Sequence, residues 1–171
     1  QLCFGPLRAR SADLTESVLG AAVSPAERFQ NRTPDVARLA NRTQEAVHYA
    51  ALSYDYSHGD EIGLVQDFEL GFDPAKLERL QLYLKPDDTW HELDLILEAA
   101  GVRYRAERVV PLANATWSMV TWQKPGPDDH STKIKTWVLL RTDDKASNAF
   151  NEPGKIRVSL TVRRSSYLNA M

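Results

Sequence analysis

The chain has 171 residues, 43% hydrophobic and 26% charged, with a formal net charge of −2. That length and balance suit one globular domain with a sound core. They argue against a dedicated nucleic-acid binder, which carries a basic stripe, and no apolar run approaches the roughly 20 residues that cross a bilayer.

Residues 1–44 read as an arm, and residues 45–171 as the main domain. The chain starts at Gln1 rather than Met, as a processed or excised piece would. Cys3 is the one cysteine, so neither an intrachain disulfide nor a cysteine-based metal site can form. Asp13 to Val23 has the spacing of a short amphipathic helix, with Leu14, Val18, Leu19 and Ala22 on one face and Asp13 and Glu16 in the first turn. Ser24-Pro25 ends it. Pro34 to Ala40 is a second helical candidate, with proline at its start. Asn31, Asn41 and Asn114 each open an Asn-x-Thr triplet, which permits an extracytoplasmic address.

Strands are predicted at 46–55, 63–71, 78–85, 91–98, 102–110, 115–123, 134–142 and 155–164. Leu80, Leu82 and Leu84 alternate with Gln81, Tyr83 and Lys85. Leu93, Leu95 and Leu97 alternate with charged neighbours, and so do Ile156, Val158, Leu160 and Val162. One apolar and one polar face per strand is the mark of an antiparallel sheet wetted on one side. Ala99-Ala100-Gly101, Lys85-Pro86-Asp87-Asp88, Lys124-Pro125-Gly126-Pro127 and Glu152-Pro153-Gly154 read as turns and loops. The expected fold is all-β: an antiparallel two-sheet β-sandwich of jelly-roll type with a short, partly helical N-terminal arm. An immunoglobulin-like sandwich is the runner-up, although its Cys…Trp…Cys frame is missing.

If every strand reverses the one before it, alternate loops share one end of the sandwich. That end then gathers Tyr56, His58, Asp60, Glu61, Asp87, Asp88, Trp90, Asn148, Phe150 and Asn151. Flat aromatic rings beside amides and carboxylates suit a sugar, whose C–H face stacks while its hydroxyls find polar partners. The alternative is that Trp90 and Phe150 plug the core and the acids are turn residues. A second candidate surface is a sheet face carrying Tyr83 and Trp137, the latter on the side of Lys135 and Arg141. Trp117 and Trp122 point to opposite faces of one strand, so one of them belongs to the core.

The acidic pairs Asp87-Asp88, Asp128-Asp129 and Asp143-Asp144 are potential calcium ligands, without EF-hand spacing. His48, His58, His91 and His130 are scattered, with no zinc motif. Nothing resembles a phosphate loop, a nucleophile elbow or a Cys/His pair, so no catalytic residue is assigned.

The segments Leu80–Leu84, Trp90–Leu95, Gly101–Arg105 and Ala115–Gln123 resemble, in general character, the carbohydrate-binding-module and galactose-binding-like jelly rolls of bacterial extracytoplasmic proteins. The resemblance implies a non-catalytic accessory domain that holds a glycan or polysaccharide. An interaction or structural domain of a membrane-associated complex, docking other domains of a larger protein, is the alternative.

Overall fold

A computed structural model describes residues 1–126 and 136–165. The expected positions Asp128, Asp129, His130 and Lys135 lie outside the described residues. The chain is all-β. Its strands are β1 (Leu2–Ser11), β2 (Glu16–Leu19), β3 (Gln30–Asn31), β4 (Ala37–Gln44), β5 (Val47–Tyr54), β6 (Glu61–Glu69), β7 (Leu77–Lys85), β8 (Glu92–Ala99), β9 (Val102–Ala106), β10 (Val110–Pro111), β11 (Ser118–Gln123), β12 (Trp137–Thr142) and β13 (Lys155–Arg163). They follow one hydrogen-bonded path, β3-β6-β13-β8-β9-β12-β11-β7-β1-β5-β4, with β10 beside β8 and β2 beside β1. The path curls into a nearly closed, barrel-like sheet, in which two separate layers are not clearly marked off. Its two ends meet where Asn31 Nδ2 on β3 donates to the Ala37 carbonyl on β4 at 2.7 Å.

The predicted alternation holds in β7, β8 and β13. Leu80, Leu82, Leu84, Leu93, Leu95, Leu97, Ile156, Val158, Leu160 and Val162 are all buried. Register stacks them in rows: Leu160 lies opposite both Leu95 and Leu64, and Leu82 opposite both Leu7 and Val120. Each such side chain contributes about 1.5–3 kcal/mol by leaving water. Trp122 is the core tryptophan, fully buried, and Trp117 points outward.

The N-terminal arm is corrected. Neither helical candidate is a helix; the only helical turns among the described residues are 3-10 pieces at Pro25–Glu27 and Pro74–Lys76. Asp13–Val23 instead contains the tip of the β1–β2 hairpin and β2, leaving Leu14 68% and Val18 50% exposed. Ala37–Ala40 begins the edge strand β4. β1 is an interior strand, paired with β7 on one side and with β5, then β2, on the other. It escapes a period-two reading because its register shifts between Phe4 and Leu7, at Gly5-Pro6. Inward positions are Leu2 and Phe4 before that bulge, and Leu7, Ala9 and Ser11 after it.

One pairing changes the ends of the barrel. β11 and β12 run parallel, with Thr121 opposite Trp137 and Gln123 opposite Leu139. The strict reversal assumed from sequence fails at this connection. The loop between β12 and β13 is thereby carried to the other end.

Candidate functional site

The end of the barrel beside the first residues of β8 is built by the β7–β8 loop and by the segment between β10 and β11. Asp87 organises the loop. Its Oδ1 accepts the Thr89 hydroxyl at 2.6 Å and the Thr89 N–H at 3.3 Å, and its Oδ2 accepts the Tyr54 hydroxyl at 2.5 Å. Asp88 Oδ1 accepts the Asn114 N–H at 2.9 Å. The Trp90 N–H donates to the Leu112 carbonyl at 3.1 Å, and the Leu112 N–H donates to the His91 carbonyl at 2.8 Å. These bonds hold Trp90 at φ 63°, a left-handed conformation that bulky residues avoid. Trp90 is 55% exposed.

Trp90 lines a pocket of about 300 Å³. Leu84, Pro86, Val110, Pro111 and Val120 supply apolar walls, and Asn114, Thr116, Ser118 and Thr136 supply amide and hydroxyl groups. Among the described residues no ionisable side chain lines it. The pocket can therefore hold a neutral, hydroxyl-bearing ligand against one aromatic ring. Sequence reasoning found Trp90 but missed Thr116, Ser118 and Thr136. For Thr116 and Ser118 the signal available was their place with Asn114, every second residue short and polar, directly after an apolar turn; Thr136 has none.

Beneath the rim lies a polar-aromatic plug. The Tyr56 ring meets Tyr54 at 5.6 Å and His91 at 4.9 Å, both edge-on. The Tyr56 hydroxyl donates to the Val162 carbonyl at 3.2 Å. His91 Nδ1 accepts the Ser165 N–H at 3.2 Å, so the neutral ring carries its proton on Nε2. Burial lowers the His91 pKa; Asp87 opposes that shift and Arg164 adds to it. Burial pushes the Tyr54 and Tyr56 hydroxyls well above the ordinary tyrosine range. Both hydroxyls are donors held in structural bonds.

The other sequence-derived positions scatter. His58 is exposed and meets Ser57 Oγ at 3.1 Å, while Asp60 faces Arg164 at 3.9 Å. Asn148 and Phe150 are corrected to the opposite end by the parallel β11–β12 pair. There the Phe150 carbonyl accepts the Gly101 N–H at 3.1 Å, and its ring lies under the Arg157 guanidinium at 4.6 Å. Tyr83 and Trp137 sit on the outer sheet face but form no coplanar pair. Tyr83 stacks on Trp117 at 4.8 Å, Trp117 meets Tyr49 edge-on at 5.2 Å, and Arg79 lies over Trp137 at 4.8 Å. Thus both rings have occupied faces.

Among the described residues no group of three or more His, Cys, Asp or Glu is placed to hold a metal ion. Asp87 and Asp88 serve the loop, and Asp143 accepts the Lys145 N–H at 3.2 Å. No helix among the described residues is long and apolar enough to cross a membrane. No protein-family model, curated protein or solved structure matches the chain.

Proposed function

We propose that this is a non-catalytic carbohydrate-binding module of an extracytoplasmic protein, holding one sugar unit of a glycan in the Trp90 pocket. The observation that carries the reading is Trp90 itself: an exposed indole, kept in a left-handed backbone conformation by two loops, over a pocket with amide and hydroxyl groups. A large aromatic in that conformation costs on the order of 1 kcal/mol. The indole offers a stacking face for sugar C–H groups, and Asn114, Thr116 and Ser118 offer hydroxyl partners. The curved halves of the barrel on either side of the β11–β12 seam are read as the two layers of a distorted jelly roll. Asp87, Asp88, Tyr56 and His91 support the site from beneath or behind.

Affinity-gel electrophoresis against neutral polysaccharides, followed by calorimetry with the best ligand, tests the proposal. Trp90→Ala is expected to weaken binding about tenfold or more, as befits an anchor worth at least ~1.4 kcal/mol. Absence of binding to any polysaccharide, or binding indifferent to Trp90→Ala, would refute it.

A further inference from the structure

Away from the Trp90 pocket, two strand edges face each other without pairing. β6 pairs with β13 along all 9 of its residues, but with β3 over only 2. The Gly63 carbonyl accepts the Arg32 N–H and the Gly63 N–H meets Thr33 Oγ1, so Gly63 turns its main-chain groups away from β13. The β6–β13 register is unbroken, and alternation then turns Val65, Asp67 and Glu69 the same way. β3 covers Val65 only, because the chain diverts into the 3-10 turn at Pro25–Glu27. The Asp67 N–H is met by its neighbour, Gln66 Oε1, at 3.0 Å. Across the gap, β2 pairs only with β1, and the same alternation turns Val18's N–H and carbonyl outward.

The gap is a slot of about 550 Å³. Val18, Val23 and Phe68 give it apolar walls, and Val18 and Val23 are 50% and 42% exposed. Arg28 lines it too. Its Nε donates to the Gly20 carbonyl at 3.2 Å, while one terminal guanidinium nitrogen is buried with no acceptor. An unmet buried donor costs about 1–3 kcal/mol. Glu27 and Glu69 also line the slot, and neither makes an ion pair among the described residues.

We propose that this slot takes an extended peptide segment of a partner protein, which adds a strand to the open edge of β6. Main-chain carbonyls of the segment meet the Glu69 N–H and the orphaned Arg28 nitrogen. Side chains on the segment's outer face lie against Val18 and Val23, and those on its inner face lie over Phe68. A flanking lysine or arginine faces Glu27 and Glu69. This is strand addition, in which main-chain bonds bind and alternate side chains select. It does not depend on the sugar site.

The test titrates the ¹⁵N-labelled protein with a short peptide alternating Val and Thr between terminal lysines. Expected are amide shifts at Val18, Asp67 and Glu69 and an unaltered affinity in Trp90→Gly. Glu69→Pro, which deletes an outward N–H and leaves the β13 ladder intact, should weaken binding at least tenfold. Val18→Glu should do likewise by blocking the slot. The same peptide N-methylated at alternate amides should not bind, a readout on wild-type protein that needs no variant to fold. Equal binding of the N-methylated peptide, shifts mapping elsewhere, or no binding at all would overturn the proposal. Self-association through these same amides would assign the slot to a second copy and overturn it too.

Discussion

Phe4→Ala asks whether β1 is an arm or part of the frame. Phe4 is 3% exposed and sits opposite Leu84 on one side and Ala50 on the other. Its ring lies 6.5 Å from Phe29, which lies 5.4 Å from Phe68, so the three link β1 to β6 through the interior. Losing the ring removes about 2 kcal/mol of transfer energy. It also leaves a void of roughly 100 Å³, worth about 2 kcal/mol if the neighbours do not close in. The sum, ~4 kcal/mol, is a large fraction of the 5–15 kcal/mol that holds a typical domain together. With a urea m-value of about 2 kcal/mol/M, the midpoint should fall by about 2 M. Leu14→Ala at the 68% exposed hairpin tip is the control and should move stability by less than about 0.5 kcal/mol. A Phe4→Ala loss below about 1 kcal/mol at an unchanged m-value would refute the placement of β1 inside the sheet.

Gly5→Ala should cost about 1–3 kcal/mol in a thermal melt, since its Cβ would lie 3.0 Å from the Tyr83 carbonyl oxygen and 3.1 Å from the Tyr83 ring; a neutral result would mean that β1 and β7 are not so close. Trp90→Gly should raise stability by up to about 1 kcal/mol by relieving a backbone at φ 63°, while abolishing glycan binding. Loss of both together would make Trp90 a structural residue. For His91 the folded pKa is depressed, so the unfolded chain binds its proton first as pH falls. The stabilisation is complete above the unfolded value of about 6.5 and is lost as pH falls through the depressed folded value, at no more than ~1.4 kcal/mol per pH unit. Urea midpoints at pH 7.5 and pH 5 should diverge more in the wild type than in His91→Gln, and equal divergence would exclude His91 as the cause. Asp67→Asn, at an ion pair whose side chains are 34% and 40% exposed, should cost less than about 1 kcal/mol by chemical denaturation; a larger loss would mean that the pair is shielded from solvent.

Alternation in β7, β8 and β13 was legible because each strand is long, keeps one phase and has one wet face. Leu80 to Leu84 and Ile156 to Val162 therefore announced both their strands and their buried side. β1 was not legible, because the bulge at Gly5-Pro6 swaps its inward parity halfway along. β2 and β4 were not legible either. β2 has 4 residues and buries only Leu19, and β4 is a polar edge strand with only Ala37 fully buried, so helical spacing looked the better match for both. For the candidate site, Trp90 stood out as an aromatic in a Pro/Asp loop. Of its partners, Thr116 and Ser118 follow Asn114 in a short polar stretch that reads as an ordinary loop, and Thr136 carries no pattern.

Side-chain chemistry alone determined that the chain is all-β and which face of its longer strands is dry, since period-two burial is a local property of the pleat. Which loops share an end is not local. It depends on the direction each strand takes when it finds its partner, and the parallel meeting of β11 and β12 sent Asn148 and Phe150 away from Trp90. The open edges of β2 and β6 likewise exist only because the chain turns aside at Pro25–Glu27, where the last gap in the barrel is left unpaired.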